Sequence, residues 1–170
     1  MTSKRSQSAS TLDPSAFELE NFLPYRLSVL TNTVSQGIAR SYRDRHDITV
    51  TEWRVMAVLG RYAGLTASEV VERTAMDKVA ISRAVNSLVA KRLLERKTDR
   101  NDRRRRRLYV SHDPGRKVLQ EIVPQAREFE RLLLQPLTGE EIETLGRIMD
   151  VLLEAARNTG EGGLQGRDRR

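Results

Sequence analysis

From residue 23 onward apolar positions recur at spacings of three and four, a period that predicts helices. Leu23, Leu27, Leu30, Val34, Ile38 and Tyr42 mark one face of a first long helix. Thr49-Val50-Thr51-Glu52 has the form of a capping box, a hydroxyl and a carboxylate three residues apart that satisfy each other's backbone N–H. It opens a second helix carrying Trp53, Met56, Ala57 and Leu59, whose end Gly60 and Gly64 are expected to punctuate. Thr66-Ala67-Ser68-Glu69 is another capping box and predicts a short helix through about Arg73. Asp77 then suits the N-cap of the next helix, because its carboxylate accepts orphan backbone N–H groups. In that helix Ile81, Ala84, Val85 and Leu88 form an apolar stripe, while Lys78, Ser82 and Asn86 follow at spacings of four on another face, flanked by Val79 and Arg83. Leu93 to Lys97 and Arg107 to Val110 pair as two strands around a polar tip at 99–105. Asp113-Pro114 opens a long helix in which Pro124 is expected to place a kink. Thr138-Gly139-Glu140-Glu141 is a third capping box, and Ile142, Leu145, Met149 and Leu152 make a seam on the last helix.

A short helix, a tight turn and a second helix make a helix-turn-helix, and the hairpin after it makes a wing. The fold class is therefore mainly α, with a two-stranded β wing. Residues 1–16 read as a flexible N-terminal arm and 158–170 as a disordered Gly- and Arg-rich tail, with a single domain over 17–157. No apolar run reaches the ~18 residues of a membrane span, and the first ten residues lack the apolar stretch of a secretory signal. A soluble cytoplasmic protein with no membrane partner is the expectation. Without cysteine there is no disulfide, thiolate zinc site or thiol switch. The two histidines, His46 and His112, do not suggest a metal site, and no cofactor is implied; His46 reads as a structural helix-end residue.

Charge sharpens this picture. Asp77 to Val110 holds 12 Lys and Arg against 4 Asp and Glu, a local net charge of +8 in a chain of net charge +7. All of the excess positive charge sits in the helix and hairpin just described. A helix for the major groove beside a basic hairpin is what a reader of double-stranded DNA needs. Arg83 is suited to guanine, Asn86 to a bidentate contact with adenine and Val79 to a thymine methyl. Lys78 and the hydroxyls of Thr66 and Ser68 suit phosphates, and Ser82 belongs to the same DNA-contacting face. Arg103 to Arg107 form a run of five, of which Arg105 to Arg107 are expected to alternate sides along a strand.

The sequence Asp99-x-x-Asp102-Arg103-Arg104-x-x-x-Leu108-x-Val110-Ser111-x-x-x-Gly115 resembles the wing motif of the MarR family of winged-helix transcriptional regulators, with Val110 and Ser111 where the family has Leu and Thr. The resemblance covers roughly residues 20 to 155. It implies a homodimer in which residues 17–47 and 113–157 form the dimerisation helices and 48–111 the winged-helix DNA-binding region. It also implies Arg103 and Arg104 at the wing tip with Arg105 beside them, and Asp99 and Asp102 stabilising the wing. Family members are mostly repressors released by small phenolic or carboxylate ligands. Pro24-Tyr25-Arg26-Leu27-Ser28 with Glu52-Trp53-Arg54-Val55 further resembles members linked to aromatic-acid catabolism.

Three functions compete on this basis. The first is a regulator binding a pseudo-palindromic operator and released by a small aromatic carboxylate or its coenzyme A thioester. The ligand would stack on Trp53 and meet Arg26, with Ser28 and Arg54 nearby. The second is an effector-independent winged-helix nucleic-acid-binding protein; Tyr109 is the one aromatic near the basic patch, which argues against single-stranded RNA. The third, an enzyme, finds no Ser-His-Asp set, phosphate loop or metal-ligand cluster in the sequence.

Overall fold

A computed structural model describes residues 17–99 and 101–162. The expected arm at 1–16 and residues 163–170 of the expected tail lie outside the described residues. After a 3-10 turn at Leu19–Asn21 the helices are α1 (Leu23–Ala39), α2 (Arg43–His46), α3 (Val50–Arg61), α4 (Ala67–Thr74) and α5 (Lys78–Ala90). Strands β1 (Leu94–Thr98) and β2 (Arg106–Val110) follow, then α6 (Gly115–Leu134) and α7 (Gly139–Gly162). The architecture is mainly helical with a two-stranded antiparallel sheet, as expected.

The chain divides into two compact units, one ending at Leu119 and the other beginning at Gln120. Among the described residues, all but one of the buried hydrophobic side chains lie between Ala39 and Val118, so the core is not spread over the whole of 17–157. In the first unit α3, α4 and α5 pack on one another, with β1 against α5 and β2 against α3 and α4. The stripe predicted on α5 is what they bury: Ile81, Ala84, Val85 and Leu88 join Val55, Met56, Leu59 and Val70. Each of these side chains larger than alanine, once removed from water, contributes about 1.5–3 kcal/mol before entropy is counted.

Local chemistry sets the boundaries. Both reciprocal capping boxes form, Thr49 with Glu52 and Thr66 with Glu69. At the start of α5, Asp77 Oδ1 accepts from the Ala80 N–H at 2.9 Å. Ala75 and Arg92 end α4 and α5 in left-handed conformations, φ 51° and 61°, which turn the chain sharply after each helix. In the second unit α6 runs on past Pro124, and Thr138 and Glu141 form the third box.

Three expectations change. Gly60 does not stop α3, which runs on to Arg61; a Cβ there would sit 2.9 Å from Leu119 Cδ1, so the glycine serves close packing instead. The tail does not begin at Asn158: α7 continues through Gly162, with the Thr159 hydroxyl donating to the Ala155 carbonyl at 2.8 Å. The apolar face of α1 is covered only towards its C-terminal end. Tyr42 is buried and Val34 and Ile38 half-buried, whereas Leu23, Leu27 and Leu30 are exposed.

Glu52 has a larger part than capping. Its carboxylate is buried, accepts the Thr49 N–H at 2.6 Å, and lies 3.2 Å from Lys91 Nζ at the end of α5. Burial alone would raise its pKa, but hydrogen bonds from Ser87, Thr49 and Lys91 outweigh it and hold the carboxyl below the ordinary glutamate value. A depressed folded pKa stabilises above the unfolded value, and that stability is lost as pH falls through the folded one. Glu52→Gln should therefore cost about 2 kcal/mol near neutrality, the scale of charged hydrogen bonds. The gap from wild type should close as the pH drops below the glutamate range. Urea melts at a series of pH values check this; a constant gap would show that the charge of Glu52 contributes nothing.

Candidate nucleic-acid interface

Helical period sorts α5 into two sides. With the apolar stripe buried, Lys78, Val79, Ser82, Arg83 and Asn86 are all exposed on one continuous outer surface. Asn86 is not idle there: its Oδ1 accepts a short hydrogen bond from Arg96 Nη2 of β1. Before α5, Ser68 is exposed in the first turn of α4. The Thr66 hydroxyl is spent, since it donates to Glu69 Oε2 at 3.0 Å while accepting from the Glu69 N–H. The expectation that both hydroxyls meet phosphate thus reduces to Ser68, because capping claims the other.

The wing is a register-matched hairpin, Leu94 opposite Val110 through Thr98 opposite Arg106. One face carries Leu94, Arg96 and Thr98, the other Glu95 and Lys97, as period two requires. A third segment fixes the hairpin to the body: Gly64 N–H donates to the Leu108 carbonyl at 2.9 Å and Leu108 N–H to the Leu65 carbonyl at 2.8 Å. Arg107 adds a side-chain tie. Its guanidinium pairs closely with Asp99 and donates to the Gly64 carbonyl at 2.8 Å.

Carboxylates shape the tip. Asp99 Oδ1 accepts from the backbone N–H groups of Asn101 at 2.7 Å and Asp102 at 3.3 Å, and Asp102 Oδ1 from that of Arg104 at 3.0 Å. The Asn101 N–H first and Arg107 next hold the Asp99 carboxyl below its ordinary pKa. Asp102 also lies 3.5 Å from Arg105 Nε. Arg103 and Arg104 are exposed at the tip. Of the three expected to alternate, Arg105 belongs to the tip, Arg106 donates to Thr98 Oγ1 at 2.8 Å and Arg107 turns inward.

The residues expected to hold a ligand separate. Arg26 and Ser28 are exposed on the N-terminal half of α1. Trp53 packs against Tyr42, ring centroids 5.7 Å apart, and Arg54 donates to Ser35 Oγ at 2.7 Å and contacts Met76 Sδ at 3.9 Å. Arg26 lies nine residues before Ser35 on the same helix, roughly 13 Å along its axis, and helical side chains lean towards the N-terminus. Arg26 is thus well separated from the point where Arg54 meets α1; Arg54 is the arginine next to Trp53 in sequence. A groove of about 360 Å³ elsewhere is lined by Leu137, Glu140, Glu141, Thr144, Leu145 and Ile148 and includes none of these four residues. No group of His, Asp and Glu suited to a metal ion occurs among the described residues.

Residues 46–105 match the MarR family model. This match spans 60 of the chain's 170 residues and marks its winged-helix region as MarR-like. MarR-family regulators bind DNA as dimers and are not enzymes. The HTH-type transcriptional regulator TcaR of Staphylococcus aureus is 23% identical over 122 residues, 71% of this chain and 80% of TcaR. A probable transcriptional regulator from Pseudomonas aeruginosa superposes with a TM-score of 0.69 at 28% identity, covering 79% of this chain and 98% of that one. BpsR of Bordetella bronchiseptica, solved in a study of how 6-hydroxynicotinic acid regulates its DNA binding, gives a TM-score of 0.70 at 20% identity over 80% and 96%. Likeness to BpsR establishes the fold. Among the described residues no helix is long and apolar enough to cross a membrane.

Arg96 did not stand out in the sequence, and Arg107 stood out only as one of a run of five, not as the residue that ties the wing to the body. Strand alternation counted from buried Leu94 would have placed Arg96 on the α5 side; nothing local marks the reach of Arg107 to Gly64. Since Asp99 organises the tip through three partners, Asp99→Ala should speed amide hydrogen exchange from 101 to 107 and leave α3 and α5 unchanged. Unaltered exchange would show that the backbone hairpin holds the tip without it.

Proposed function

We propose that this protein is a cytoplasmic homodimeric repressor that binds a pseudo-palindromic DNA operator and is released by a small aromatic carboxylate or its coenzyme A thioester. The observation that carries the DNA half is the continuous outer surface of α5, Lys78, Val79, Ser82, Arg83 and Asn86, ending beside an arginine-tipped wing. The α5 surface enters the major groove and Arg103, Arg104 and Arg105 reach the neighbouring backbone or minor groove. Exposed apolar side chains on α1 (Leu23, Leu27, Leu30) and on α7 (Leu145, Met149, Leu152) support a second copy as the cover.

The effector acts at Arg54. This guanidinium ties α3 both to α1 through Ser35 and to the turn before α5 through Met76. A carboxylate is a better partner for it than a hydroxyl and a thioether, and Trp53 offers a ring for stacking. Drawing Arg54 onto a ligand loosens the turn that aims α5. The regulation of BpsR by a heteroaromatic acid supports this ligand class. A ligand that prefers the DNA-incompetent form by ~100-fold, about 2.7 kcal/mol, releases the operator substantially.

Arg103→Ala with Arg104→Ala should weaken binding to all duplexes alike and flatten its salt dependence by about 0.9 of a unit for each phosphate left without its arginine. Arg83→Ala should instead relax discrimination at one base pair, by ~1–3 kcal/mol. Fluorescence anisotropy against salt and sequence measures both, with light scattering to count two chains per operator. An equal salt effect from both variants, with sequence preference intact, refutes this assignment.

For the effector, operator binding is titrated with a panel of aromatic acids and their thioesters. At least one compound should lower wild-type affinity tenfold or more, and Arg54→Ala should respond weakly while Arg26→Ala responds as wild type. No response from any compound, or a full response from Arg54→Ala, rejects the effector site and leaves DNA binding standing.

A further inference from the structure

Asparagine on a major-groove helix ordinarily reads adenine with both ends of its amide: the oxygen accepts from N6–H and the NH2 donates to N7. In this protein the oxygen of Asn86 is already engaged by Arg96 Nη2. A guanidinium is donor-only, so the amide atom facing it is Oδ1. Strand alternation fixes the pairing. Leu94 is buried on the face of β1 packed against α5, and Arg96, two residues on, lies on that same face, level with the last residue of the Lys78-Ser82-Asn86 row. Neither nearby carboxylate of the hairpin competes for Arg96: Glu95 pairs with Lys97 at 3.1 Å and Asp99 with Arg107.

We propose that Arg96 is a specificity-determining positioning residue: by holding Asn86 Oδ1 it turns the Asn86 NH2 outward, so that this position reads guanine rather than adenine. Guanine offers two acceptors, N7 and O6, to an amide presenting only donors, whereas the N6–H of adenine would have to share Oδ1 with a guanidinium. The positive charge beside the amide acts in the same direction, attracting acceptor edges and disfavouring an amino group. This rests on the reading of α5 as the major-groove helix. It adds that the wing strand, besides carrying the tip, edits what the helix recognises.

The test is selection of duplexes from a randomised pool by wild type, Arg96→Ala, Arg96→Lys, Asn86→Ala and the double variant Asn86→Ala/Arg96→Ala, each first shown by thermal melting to be folded. Wild type should select guanine at one position of each half-site, and Asn86→Ala should lose that preference. Arg96→Ala should turn it towards adenine by at least about fivefold, the low end of one base-edge pair. Arg96→Lys, still a cationic donor, should keep guanine. A purely structural role for Arg96 would weaken binding without changing the base. The proposal is overturned if Arg96→Ala keeps guanine, or if the turn to adenine persists in the double variant. A wild type that selects no sequence at all overturns the DNA reading itself, a result visible before any variant is compared.

Discussion

The carboxylate of Glu52 stands where three pieces of chain must agree: the turn entering α3, the first turn of α3 and the last turn of α5. A buried carboxylate is costly unless every lone pair is used, and here backbone N–H, hydroxyl and ammonium share it. Lys91 extends the same cluster to Asp47, 3.4 Å away, at the end of α2. The far end of α5 is thereby referenced to the loop that leads out of α1. Everything that α5 presents to a partner inherits its position from this arrangement.

From that fixed end the structure continues without slack into the wing. Buried Ser111 donates to the Arg92 carbonyl at 2.7 Å and accepts the Gly115 N–H at 2.9 Å, joining the turn after α5 to the start of α6. A side chain on Gly115 would press to 2.3 Å from the Leu93 carbonyl, so backbone meets backbone there. Arg107 and the Leu108 backbone make the corresponding ties to Gly64 and Leu65. These ties hold helix and hairpin together, which is how a strand residue comes to touch the amide of a helix residue.

Much of this was written in the sequence, and the reasons are local. Capping boxes involve residues three apart, so Thr49 with Glu52 and Thr66 with Glu69 announce their helices to a reader without coordinates. The buried stripe of α5 follows from period alone. What stayed hidden depends on pairings across distance in the chain: Arg107 with Gly64, Arg54 with Met76 and Ser35, Arg96 with Asn86. Where Arg26 lies relative to Trp53 is a question of the same kind, since two residues of the right chemistry carry no information about where along α1 the other helix crosses. Gly60 misled because glycine marks both helix ends and tight helix packing, and only the position of Leu119 distinguishes them.

The segregation of charge has a consequence for how the protein arrives at a partner. With +8 on the segment from Asp77 to Val110 and the remainder of the chain close to neutral, the excess positive charge of the free molecule is off-centre in the chain, on a segment that includes the hairpin. In the field of a polyanion such a body experiences a torque as well as a pull, so rotational search is shortened before any surfaces touch. Physiological salt confines that field to about 8 Å, so the turning happens in the last nanometre of approach. Orientation and capture are then nearly the same event, and the hairpin leads.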